Sequence, residues 1–188
     1  PGSVVLMMSL RRWIQLSSAT LACFALLAGC AALDTQQRRW IFQPSSDTWR
    51  GASYAAEGMD ELWIEFDSRL EGERARLHAL WLPQDRPDAP VLLYLHGARW
   101  DVRSSAPRMR RMHDLGFAVL GIDYRGFGQS SGDLPSERLA YEDARAAWDW
   151  MAREHPQARR FIYGHSLGGA IATHLASEVD DAAGLLVE

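Results

Sequence analysis

Tyr163-Gly164-His165-Ser166-Leu167-Gly168-Gly169 is the stretch that decides how this chain is read. Its Gly-x-Ser-x-Gly core follows an apolar run, Arg160-Phe161-Ile162-Tyr163, and precedes a run of small residues from Leu167 to Ser177 that suits a helix. A serine on a sharp strand-to-helix turn projects its hydroxyl away from the backbone. The flanking glycines leave room for the turn and for a helix packed close behind it. The pattern predicts a nucleophile at Ser166, with an ordinary helix cap as the plainer alternative.

Outward from this turn, the chain alternates between buried-strand and helix patterns. Leu62-Trp63-Ile64-Glu65-Phe66 and Leu77 to Leu82, separated by a turn at Gly72, read as an antiparallel pair. Val91-Leu92-Leu93-Tyr94-Leu95 and Phe117 to Ile122 are continuous apolar runs, as expected of strands covered on both faces. Between them, Ser104 to Leu115 suits a helix with Ser104 or Ser105 as cap and Gly116 as stop. Leu134 to Glu154 is the longest helical pattern, closed by Pro156, and a last strand begins at Gly184. Strands alternating with helices after an opening hairpin predict an α/β fold with a mostly parallel central sheet and flanking helices.

Two further segments stand at the ends of predicted strands: Leu95-His96-Gly97-Ala98, and Asp123-Tyr124-Arg125-Gly126-Phe127-Gly128. With the Ser166 turn, these resemble the α/β-hydrolase superfamily, in particular its monoacylglycerol-lipase-like and serine-aminopeptidase-like group. The resemblance covers roughly residues 62–188 and implies a serine hydrolase of ester, thioester or amide bonds, acting through an acyl-enzyme on a small-molecule or lipid substrate. A serine at the turn argues against the haloalkane dehalogenases, which resemble this fold but place Asp there. The implied oxyanion hole is made of two backbone N–H groups, those of Leu167 and Ala98. Ala98 stands where relatives often carry Asn; a main-chain donor survives that change. His96 reads as a loop-stabilising hydrogen bonder, His165 as structural, and Asp123 to Gly126 as a loop-shaping motif whose Arg125 pairs with a carboxylate or carbonyl. Glu142 and Asp143 read as a cap partner and a solvated face.

In this fold the acid and the histidine of the triad follow the nucleophile along the chain, and no position up to Glu188 matches either. His174 lies eight residues into the following helix, which carries it away at about 1.5 Å per residue. Asp180 and Asp181 precede the last strand, at its wrong end. The expectation is therefore a hydrolase domain incomplete at its C-terminus, inactive by itself and exposing a bare sheet edge. A non-catalytic envelope protein of the same fold is the alternative function.

With 188 residues, 47% of them hydrophobic, the chain is sized for one substantial domain. Its formal charge is −4, opposite to a nucleic-acid footprint, and all 20 of its basic residues are Arg. The only cysteines, Cys23 and Cys30, lie in or beside an apolar N-terminal run, so the remainder has no disulfide framework or cysteine metal site; no metal or cofactor is expected. Arg11-Arg12 followed by that run reads as a secretory signal. Leu27-Ala28-Gly29-Cys30 resembles the bacterial lipobox, which implies lipidation of Cys30. Ala31 next to it is compatible with outer-membrane sorting, facing the periplasm. The alternative is a short uncleaved anchor, near the lower length limit for a span. The organisation expected is a signal peptide over 1–29, with 1–10 extraneous and Met7 or Met8 as start. A lipidated N-terminus and tether follows over 30–58, and the hydrolase domain over 59–188. Metabolic labelling with a fatty acid is expected to tag the wild-type chain and not Cys30→Ala, with globomycin blocking its processing; equal label in the mutant would exclude the lipobox.

Overall fold

Six strands form one sheet in the order β1-β2-β4-β3-β5-β6. They are β1 (Asp60–Asp67), β2 (Arg74–Leu82), β3 (Val91–Leu95), β4 (Ala118–Ile122), β5 (Arg160–Gly164) and β6 (Ala182–Val187). The helices are α1 (Gly2–Phe42), α2 (Ala106–Asp114), α3 (Glu137–Glu154) and α4 (Leu167–Glu178). This computed structural model describes the backbone of residues 2–188, and the side chains of all these except residues 2–11, 14 and 53. β1 and β2 form an antiparallel hairpin, β2 pairs antiparallel with β4, and the remaining neighbours are parallel. The expected α/β architecture is thus present, with β6 at the open edge of the sheet and Leu185, Leu186 and Val187 exposed there.

Strand periodicity sorts the core into two layers. Val91, Leu93 and Leu95 of β3 face the layer built with Ala140, Ala144, Ala147 and Trp148 of α3 and Ile171 and Leu175 of α4. Leu92 and Tyr94 face the opposite layer, with Val102, Ala106 and Met109 around α2. All five β3 residues are buried, so each buried Leu contributes about 2 kcal/mol. The register sets Leu95 opposite Ile122 and Gly164, which brings the carboxyl ends of β3, β4 and β5 to one level.

Beyond shifts of one to three residues at strand starts, three boundaries differ from the sequence reading. The helix expected from Ser104 is preceded by a 3-10 turn, Val102–Ser105, capped by Asp101, whose side chain accepts the Ser104 N–H; Ser105 makes no side-chain cap. Gly116 ends α2 as expected, at φ 98°. The long helix starts at Glu137, where the Ser136 hydroxyl caps the Leu139 N–H. Over the stretch expected as a tether, 30–58, α1 continues to Phe42, and the compact unit begins at Ile41, ahead of residue 59. Phe42, Ala52, Ala55, Ala56 and Met59 are all buried in that unit, which is what fixes this polar stretch onto the domain. Within α1, Gln15–Phe42 is long and apolar enough to cross a membrane, a test that a signal sequence also passes.

Arg125 and Asp143 correct a fourth expectation. Asp143 is fully buried on the same α3 stripe as Ala140, Ala144 and Ala147, and is no part of a solvated face. Its carboxylate accepts the Arg125 backbone N–H at 2.8 Å and Nε at 2.6 Å. The Arg125 Nη1 donates to Ser68 and Glu71, and Nη2 to Glu142 and the Leu139 carbonyl. Burial pushes the Glu142 carboxyl up, but hydrogen bonds from Ser68 and Arg125 outweigh it and hold the group below the usual carboxylate range. One guanidinium therefore ties the β1–β2 turn, the loop after β4 and α3 together. Arg125→Met leaves Asp143 buried without its cation and is expected to lower unfolding stability in urea by about 3–5 kcal/mol. Replacing the half-exposed Glu71 with Gln is expected to cost less than about 1 kcal/mol.

Candidate active site

Ser166 sits between β5 and α4 at φ 54°, ψ −120°, a conformation that a side chain rarely adopts. Its hydroxyl makes no cap bond to α4 and the residue is exposed, so the cap alternative does not describe it. The turn is enforced by close approach on both sides. A Cβ on Gly164 would lie 2.3 Å from the Gly168 carbonyl oxygen, and one on Gly168 would lie 2.1 Å from that of Leu95. Main-chain bonds hold the approach: the His165 N–H donates to Leu95 O, the Ser166 N–H to Glu188 O, and the Gly169 N–H back to Ser166 O.

The loop after β3 stands directly against this turn. A Cβ on Gly97 would be 3.2 Å from both Ser166 Cβ and His165 Nδ1. Ala98 follows it, half-buried. Among the described residues neither the Ala98 nor the Leu167 N–H has a protein acceptor. Leu167 is the first residue of α4, whose amino end carries partial positive charge. The two amides expected as an oxyanion hole are thus uncommitted donors beside an exposed serine hydroxyl.

His96 is buried at the root of the same loop. Its Nδ1–H donates to Gly97 O at 2.7 Å, and its ring lies against Tyr124 and Phe127. Burial lowers its pKa, an effect that Asp123 only partly offsets. Nε2 has no hydrogen-bond partner and stands 3.7 Å from Asp123 Oδ1. Asp123 in turn accepts the Val102 N–H at 2.7 Å and meets His78 Nδ1 at 2.9 Å. A Cβ on Gly128 would stand 2.0 Å from its Oδ2, so only glycine lets this loop wrap over the carboxylate. The motif shapes loops, with Arg125 paired as described above. His78 escaped the sequence reading; a lone histidine within the apolar run Leu77 to Leu82 of β2 was its available signal.

No histidine or carboxylate among the described residues hydrogen-bonds the Ser166 hydroxyl. His174 stacks on Tyr141 at 3.6 Å and pairs with Glu178. Asp181 is held by Trp148 Nε1 and Arg160. Half-buried His165 has its pKa lowered, by burial and then by Arg108. Among the described residues no cluster of acidic, histidine or cysteine side chains is arranged to hold a metal ion. A cleft of about 780 Å³ between β1, α3 and α4, lined by Phe66, Leu70, Tyr141 and His174, includes neither Ser166 nor Ala98.

A positive φ at a serine stores strain that glycine does not. Ser166→Gly is expected to raise unfolding stability by about 1 kcal/mol, read as a higher thermal midpoint. A destabilised Ser166→Gly would mean that the turn is unstrained.

Comparison with known proteins identifies the family and the fold. The family described as serine aminopeptidase, S33, matches residues 86–187. An uncharacterized protein of Mycobacterium tuberculosis is 31% identical over 179 residues, covering 94% of this chain and 62% of its own. The lysophosphatidylserine lipase ABHD12 of Gallus gallus is 35% identical over 147 residues, 72% of this chain and 34% of that protein. The chain thus spans less than two thirds of the length of these relatives. Among solved structures, an esterase of Pyrococcus furiosus superposes with a TM-score of 0.60 at 20% identity, over 75% of this chain and 55% of the esterase. A thermostable carboxyl esterase from Bacillus coagulans gives 0.58 at 22% identity, over 69% and 43%.

Proposed function

The chain belongs to the serine aminopeptidase S33 family of α/β hydrolases, and from that membership we propose that it acts as a serine hydrolase through an acyl-enzyme on Ser166. The observation that carries the reading is the strained, uncapped serine beside two uncommitted amides. Ser166 Oγ attacks the carbonyl carbon of an ester, thioester or amide. The carbonyl π pair moves to oxygen, and the N–H groups of Leu167 and Ala98 stabilise that oxyanion; one such donor is worth about 3 kcal/mol of barrier. The serine proton passes through a base to the leaving alcohol, thiol or amine. Water, deprotonated by the same base, then releases the acid and restores Ser166.

Among the described residues no histidine or carboxylate reaches the Ser166 hydroxyl to serve as that base. A lipid acyl ester is the substrate class we favour, because one relative is a lysophosphatidylserine lipase and the N-terminal helix suits a membrane. Lipidation of Cys30, exposed on that helix, would place the domain at the bacterial cell envelope, on the periplasmic side of the outer membrane.

A fluorophosphonate probe tests the nucleophile. In the product of the gene's whole reading frame, the probe is expected to label Ser166, located by peptide mass, and to leave Ser166→Ala unlabelled. Residues 1–188 alone are expected to take no Ser166-dependent label and to hydrolyse no p-nitrophenyl ester faster than Ser166→Ala does. Absence of label in the whole product would leave the non-catalytic envelope protein as the better reading.

A further inference from the structure

The segment that follows α1 is built into the loop that carries Ala98. Three main-chain carbonyls, of the last residue of α1 and of two residues beyond it, accept N–H groups from the loops after β3 and β4: Phe42 from Arg99 at 2.9 Å, Ser45 from Gly128 at 3.0 Å and Asp47 from Asp101 at 3.1 Å. The Thr48 hydroxyl adds a bond to Asp101 Oδ2 at 2.5 Å, and the Trp49 N–H one to Ser104 Oγ. Arg99 also sets Nε and Nη2 on the Gln43 side-chain oxygen, at 3.1 and 2.6 Å. That contact is exposed, and exposed polar pairs are weak. The firm end is Phe42, whose ring is buried in the main core layer.

These bonds hold a loop that would not keep its shape alone. Arg99 and Trp100 are consecutive side-chain-bearing residues at φ 67° and 65°, and Gln43 opposite them is at φ 49°. Left-handed conformations at such residues persist only where the surroundings over-determine them. Ala98 lies between two fixed peptide planes. On one side Gly97 is wedged against His165 and Ser166; on the other the Arg99 N–H is bound to Phe42. With both planes fixed, the direction of the Ala98 N–H is fixed as well.

We propose that residues 42–48 are a positioning element of the active site: a clasp, seated by Phe42, that aims the Ala98 N–H at the developing oxyanion. The clasp acts through the Ala98 peptide. The inference rests on the reading of Ala98 as an oxyanion donor. It adds that the segment leaving the apolar helix, outwardly a linker, sets the reactivity of Ser166.

The test compares wild type, Phe42→Ala, Phe42→Leu and Thr48→Val in the product of the gene's whole reading frame. Two quantities are measured: the second-order rate of Ser166 phosphonylation across pH, and amide hydrogen exchange over residues 97–101. Phe42→Ala is expected to slow phosphonylation by about 10-fold or more, short of the full loss of one donor, and to speed exchange in that loop. Phe42→Leu is expected to restore most of both. The pH dependence of labelling is expected to stay that of wild type, because none of the clasp bonds is made to the Ser166 turn. Thr48→Val, a near-isosteric change at a half-buried residue outside the apolar core, is expected to shift rate and exchange the same way but less, and decides the matter should Phe42→Ala not fold. Wild-type rates in a folded Phe42→Ala, or wild-type rate and exchange in Thr48→Val, would overturn the clasp. A wild-type protein that takes no label would overturn the hydrolase reading instead, and loop exchange alone would then decide the clasp.

Discussion

A Cβ on Gly168 would stand 2.1 Å from the Leu95 carbonyl oxygen, and on that steric fact the candidate site depends. Two chain segments, the first turn of α4 and the end of β3, lie closer than any side chain permits. The tight approach bends the chain sharply between β5 and α4 and leaves Ser166 at a positive φ, with its hydroxyl turned out. It also draws the loop after β3 against the serine, so that nucleophile and candidate oxyanion donors share one scaffold. Site geometry here follows from the absence of atoms more than from any attractive contact.

Arg125 does the complementary work on the other side of the loop cluster. A guanidinium that is almost fully buried is favourable only when all its N–H groups are matched, and here every nitrogen has an acceptor. The geometry is a planar fork meeting a carboxylate, which an ammonium cannot reproduce. The Asp123 carboxylate two residues earlier organises the neighbouring turn through the Val102 N–H and His78. Buried charge thus fixes the loop after β4, while packing fixes the turn at Ser166.

How far the sequence disclosed this depends on whether a feature is local. β3 and β4 are legible because strands covered on both faces are unbroken apolar runs, and the Ser166 turn is legible because its glycines fall within five residues. Oxyanion donors are backbone amides, which no residue type marks; Leu167 and Ala98 came from likeness to a family. Asp143 was misread because its partner lies 18 residues away, although its place on the stripe of Ala140, Ala144 and Ala147 was a usable sign. Phe42 was missed because it is one of four scattered aromatics, with Trp40, Trp49 and Tyr54, in a polar stretch without periodicity. Asp101 lost the cap to Ser104 and Ser105 since all three have the right chemistry, and only the intervening 3-10 turn separates them.

The strand order has a consequence for how such a molecule is made. β3 pairs with β4 on one side and β5 on the other, and both lie later in the chain. During synthesis from the amino end, β3 therefore leaves the ribosome with neither neighbour, and its second edge is closed only after β5, roughly 65 residues on, has emerged. Ser166 follows β5 at once. Its unfavourable backbone geometry also leans on what comes later, α4 and the Glu188 carbonyl that accepts its N–H, so the turn is held in full only after 22 more residues have emerged.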